Sequence, residues 1–207
     1  MKLLFELATY ICYFFLFLAV LWGLKGRKLL RREEWGYFAF IMFIALIEAT
    51  NNFYISVLKS RNTFWVYEIY VVVGFPIIYF LYVRKLKLSP IWHIAGWGLL
   101  IFYFIQKWTL NINLDILKAY SNLLLSCLIG VSLLLKIKYN DKTDPFLRSD
   151  ILMFFYYVVS IFLFITTGQL ANIDIVYNYI LWGFNNLLTA FLYYSLTKSF
   201  SQLKSLH

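Results

Sequence analysis

Glu48, Asn51 and Asn52 interrupt a long apolar run, and spacings of three and four place them on one face of a helix. Asn185 and Asn186 break the last apolar segment in the same way. Gly183 precedes them, and Thr189 and Tyr193 continue the stripe. Glu68 lies about one turn inside the third apolar segment, and Thr166, Thr167 and Gln169 stand toward the outer end of the sixth. Polar and ionisable groups within hydrocarbon are costly, so they face protein or water. One reading is that Glu48, with Asn51, Asn52 and Asn185 or Asn186, lines a polar cavity open to the outside. The other is that these groups are hydrogen-bonding glue between helices.

Several other chemistries lack their residues. A bis-histidine haem needs two imidazoles in the bundle, and His93 is the only one there, since His207 is the last residue. A retinal Schiff base needs a lysine deep in a helix; Lys118 reads as too near the outer end of its segment, and the last segment has none before Lys198. Neither the zinc-protease nor the serine-hydrolase signature occurs, nor a phosphate loop. Arg84 is too far from His93 for a metal-independent ribonuclease pair. The expectation is a non-enzymatic protein with no catalytic residue, metal or cofactor. Cys12 and Cys127 read as two small buried residues.

The elements that position these groups follow from composition. The chain is 62% hydrophobic and 14% charged, against roughly 45–50% and about 25% in soluble domains, so the bilayer is the better solvent. A spanning helix needs about 20 mostly apolar residues. Such segments are expected near 3–24, 36–58, 64–84, 90–106, 115–136, 150–170 and 175–197, the fourth being the shortest. The fold class is all-α: one polytopic membrane bundle of about seven helices over residues 1–207. The first segment reads as a retained helix, because Gly26-Arg27-Lys28 follows it where a cleavage site would need small residues.

Lysine and arginine set the orientation, since cationic loops stay cytoplasmic. With the N-terminus out and the C-terminus in, fourteen basic residues fall inside and four outside: Lys2, Lys59, Arg61 and Lys107. Lys25, Arg27, Lys28, Arg31 and Arg32, backed by Lys136, Lys138 and Lys142, form the predicted basic cytoplasmic face. They suit anionic lipid first and an RNA-loaded protein second, without the pattern of a nucleic-acid-binding module. Trp35, Trp65, Trp92, Trp108 and Trp182 fall near helix ends and read as interface anchors. Gly74 and Pro76 mark a hinge or static bend in the third helix. Gly96 and Gly98 permit a close neighbour at the fourth, within the bundle or in another subunit.

Asn62-Thr63-Phe64-Trp65 running through Tyr67-Glu68, Asp144-Pro145-Phe146 before the sixth helix, and Trp182 with Asn185 in the last are short motifs spread along the chain. With the length and seven apolar segments, they resemble a family of small polytopic bacterial membrane proteins that accompany type VI-B CRISPR systems. The resemblance implies an inner-membrane accessory protein that modulates antiviral defence as a pore or platform, meeting an RNA-guided effector at its cytoplasmic face. It carries over no catalytic residue. A small-molecule transporter or receptor built around Glu48 is the alternative, and a structural subunit or homo-oligomer a third reading.

Overall fold

The structure, a computed structural model, describes residues 1–59, 64–109, 114–139, 144–170 and 175–203. Arg61, Lys142, Asp174, Lys204 and His207 lie outside the described residues, as do the side chains of Lys107, Trp108, Thr167 and Gln169. Among the described residues there are seven α-helices: α1 Lys2–Gly26, α2 Trp35–Ser56, α3 Phe64–Lys85, α4 Pro90–Thr109, α5 Leu114–Lys138, α6 Leu147–Leu170 and α7 Ile175–Gln202. A single 3₁₀ turn, Arg27–Leu29, follows α1. Each start falls within three residues of the position read from the apolar pattern. The largest difference is at the end of α7, which continues past Lys198. Phe200 there is fully buried and packs where Gly23 and Gly26 leave α1 without side chains.

Five of the helices (α1, α2, α3, α5 and α6) are long and apolar enough to cross a membrane. The apolar part of α4, Pro90–Ile105, is shorter. In α7, which is not among the five, asparagine, serine and threonine replace apolar residues on the face turned inward. The fold is an α-helical membrane bundle.

Helix α1 runs along α7 and also touches α2, α2 packs on α3, α3 on α5, α5 on α6, and α6 on α7. These six helices close a ring. Helix α4 stands outside it, packed chiefly on α3. Gly96 is the reason α4 can come so close, because a Cβ there would overlap the Tyr79 ring. Gly98 faces open space, so only one of the two glycines serves the close approach. Helix α3 ends in a left-handed residue, Lys87 at φ 50°. The amide of Leu88 donates to the Val83 carbonyl at 3.1 Å and that of Lys87 to Arg84 at 3.0 Å, which fills the terminal carbonyls of the helix. Cys127 is exposed on α5 rather than buried; in an apolar helix its small side chain faces outward at no cost.

Candidate functional site

The ring encloses a cavity of about 460 Å³ walled by α1, α2, α3, α6 and α7. It lies at the end of the bundle where α1, α3 and α7 begin and α2 and α6 finish. Glu48 and Asn51 reach it from α2, Thr9, Cys12 and Tyr13 from α1, Tyr67 and Tyr70 from α3, and Tyr156 and Phe164 from α6. Trp182, Asn185, Asn186, Thr189 and Tyr193 reach it from α7. The helical stripe Asn185, Thr189 and Tyr193 therefore converges with the α2 stripe, as their spacing predicts.

Most hydrogen-bond donors in this wall are already used by the wall. The Tyr13 hydroxyl donates to Glu48 Oε2 at 3.2 Å, and Tyr67 donates to Asp115 at 2.9 Å. Tyr70 and Tyr156 share a bond of 2.9 Å. Asn186 Nδ2 donates to Thr9 Oγ1 at 2.9 Å, and the Thr9 and Thr189 hydroxyls donate to the carbonyls of Phe5 and Asn185. The side-chain oxygen of Asn185 is buried without a hydrogen-bond partner among the described residues.

Not every polar residue flagged by its spacing arrives here. Asn52 is exposed on α2 and is not in the cavity lining, but its side chain hydrogen-bonds the Tyr13 hydroxyl that binds Glu48. The helix turns 100° per residue, so Asn51 and Asn52 cannot share one direction. Glu68 lies beside Tyr103 of α4, on the other side of α3 from Glu48. Thr166 donates to the carbonyl of Phe162 in its own helix, at 2.9 Å. Trp182, read as an interface anchor, is half-buried in the cavity wall near Phe164. Trp35, Trp65 and Trp92 do stand exposed at helix ends. Lys118 lies one turn into α5, as its place in the segment predicts, but it is buried. It is 2% exposed, and its Nζ stands 4.4 Å over the Tyr70 ring. One turn further along α5, Asn122 is fully buried, and neither side-chain atom has a hydrogen-bond partner among the described residues.

The opposite end holds a second polar centre, which the sequence reading missed. Asp150 of α6 has no exposed side-chain surface. Its Oδ1 accepts the hydroxyls of Tyr37 and of Tyr82, the latter at 2.6 Å. Its Oδ2 accepts the ammonium groups of Lys85, at 2.7 Å, and Lys136. Asp144 pairs with the same two lysines. Two carboxylates face two ammonium groups, so the cluster is neutral, and every Asp150 oxygen is satisfied, as burial of a charge requires. Tyr37 stacks on Phe146 at 4.3 Å. Burial pushes the Asp144 carboxyl up, but Lys85, Lys136 and the Phe146 amide outweigh it and hold it below its usual value. Beside this cluster Ser149 shares hydrogen bonds with Ser195 at 3.1 Å and Ser199 at 3.0 Å. Together these contacts tie α2, α3, α5, α6 and α7 to one another at this end, beside a second pocket lined by Glu33, Glu34, Lys85 and Lys136.

Lys136 therefore is not part of a free basic face; it is half-buried between two aspartates. Lys25, Arg27, Lys28, Arg31, Arg32 and Lys138 are exposed at that end of the bundle. The signal available in the sequence was an acid in the first turn of α6, close in the chain to the basic last turn of α5. Gly74 and Pro76 lie in an uninterrupted α3, between Tyr70 at the cavity and Tyr82 at the ion-pair cluster. Comparison with protein-family models, curated proteins and solved structures gave no match to this chain.

Proposed function

We propose that this chain is a non-enzymatic receptor or carrier for a small polar solute, bound in the Glu48 cavity of a seven-span bundle in a bacterial cytoplasmic membrane. The N-terminus is outside and the C-terminus inside. The observation that carries this reading is the polar cavity within the ring at one end, opposite a buried ion-pair cluster that ties the helices together at the other, where a separate pocket borders Glu34, Lys85 and Lys136. A solute site near the interior of a bundle is the arrangement solute-binding membrane proteins use. The exposed basic residues at the ion-pair end support the orientation, since cationic turns resist translocation. In this reading Gly74 and Pro76 form the hinge through which ligand at the cavity reaches the Lys85 end of α3.

The accessory role beside an RNA-guided effector is the second reading, favoured by the resemblance and by the exposed cluster of Lys25, Arg27, Lys28, Arg31 and Arg32. Co-expression with such an effector would alter phage resistance in that case.

Detergent-purified protein should gain thermal stability from at least one small water-soluble compound. Thr189→Trp and Asn51→Trp, which fill the cavity, should melt normally and lose that response. A melting temperature that no small solute moves overturns the binding reading. The orientation is tested on intact cells with an impermeant thiol reagent, in a chain lacking Cys12 and Cys127. Lys59→Cys should label and Arg31→Cys should not; the reverse pattern overturns it.

A further inference from the structure

The cavity wall is built for a particular kind of ligand, and this inference rests on the binding reading above. Among the described lining residues Glu48 is the one acidic side chain, and no lysine, arginine or histidine is in that lining. Its carboxylate has one hydrogen bond among the described residues, from Tyr13. Several of the donors nearest it are committed within the protein. The hydroxyls of Tyr13, Tyr67, Thr9 and Thr189 and the Asn186 amide all donate within the protein. Glu48 Oε1 and the unpartnered oxygen of Asn185 are left to accept. At Glu48, with no basic residue in the lining, the complementary ligand group is a donor that carries positive charge.

The rest of the lining agrees. Nine of its residues are aromatic, and an aromatic face attracts a cation through the negative face of its π-system. A carboxylate within an aromatic cage favours an organic ammonium over a hydrated metal ion, because rings offer no lone pairs to replace inner-shell water. We propose that the cavity binds an organic ammonium ion, with its nitrogen at Glu48 and its carbon substituents against Tyr13, Tyr70, Tyr156, Trp182 and Tyr193.

Lys118 bears on the charge of this site from behind the wall. It does not line the cavity, and the Tyr70 ring stands between its ammonium group and the space. An anionic ligand would require this lysine to reach past Tyr70, whereas an ammonium ligand needs no contact with it.

Choline and its neutral isostere 3,3-dimethylbutan-1-ol, together with phenethylamine and phenylacetate, distinguish the possibilities by isothermal titration on the detergent-purified chain. Choline or phenethylamine should bind, and the neutral isostere and the carboxylate should bind at least about tenfold more weakly, as loss of a charge-assisted contact implies. Glu48→Gln should abolish the preference for the cation while keeping the wild-type melting temperature to within a few degrees. Lys118→Met should leave cation binding intact. If phenylacetate or the neutral isostere binds in preference to the amines, or Lys118→Met abolishes binding, the ammonium class is overturned and the cavity stands as a binding site of another kind. If none of the four binds while some other solute gives the cavity-dependent thermal shift, the ammonium class again fails alone. If no solute of any charge moves the melting temperature, both readings fall.

Discussion

Lys85 at the end of α3 and Asp150 at the start of α6 meet at 2.7 Å, where the carboxylate has no exposed surface and the lysine keeps 11%. Such a pair stays buried because each partner is satisfied by others: Asp150 by Tyr37, Tyr82 and Lys136, and Lys85 by Asp144. Asp150→Asn keeps the shape and removes the charge, leaving two buried ammonium groups facing one carboxylate. Breaking a buried pair on one side costs about 3 kcal/mol, and the thermal midpoint in detergent should fall accordingly. Tyr82→Phe, which removes one hydroxyl from the same carboxylate, should cost about 1 kcal/mol. An Asp150→Asn protein as stable as the parent would show that the cluster does not hold this end together.

Acid should loosen the same end through Asp144. Its carboxyl titrates below the usual value of 3.8 in the folded chain, so the folded state favours the charged form. The resulting stability is fully present above that ordinary value and is lost as pH falls below it, through the lowered folded value. A series of melting temperatures against pH should therefore drop on the acid side. Asp144→Asn should start lower at neutral pH and show a shallower acid limb. Parallel limbs would remove Asp144 as the group responsible.

The two glycines of α4 should behave differently. Gly96→Ala places a methyl group into the Tyr79 ring, and overpacking of this kind costs about 1–3 kcal/mol. Gly98→Ala meets nothing within 4 Å and should be neutral or raise stability by up to about 1 kcal/mol, from helix propensity alone. Equal effects at the two positions would mean that α4 does not seat on α3 through Gly96.

Much of this architecture was legible along the chain. Hydrophobic runs and the Lys25–Glu34, Ser89-Pro90 and Asp144-Pro145 breaks are local signals, because the length of an apolar helix and the chemistry that ends it depend on neighbours in sequence. The α2 and α7 polar stripes were legible for the same reason: periodicity alone puts Asn185, Thr189 and Tyr193 on one face. Whether two stripes meet depends on which helices are neighbours, and only the closed ring of α1, α2, α3, α5, α6 and α7 brings Glu48 opposite Asn185. The Tyr13 bond to Glu48 joins residues 35 positions apart, a separation no local pattern encodes.

Charge was where sequence and tertiary structure parted most clearly. By itself the sequence determined an apolar helical chain with its cations gathered in alternate turns, since composition and order are enough to decide which segments water rejects. It could not tell a solvated lysine from a paired one. Lys28 and Lys136 look alike in the chain, yet one is exposed and the other lies between Asp144 and Asp150. Tertiary structure decided that difference, and it likewise turned Lys118 inward. The physical reason is that the state of a charge is set by what lies within a few ångströms of it in space, and in a bundle those neighbours come from other helices.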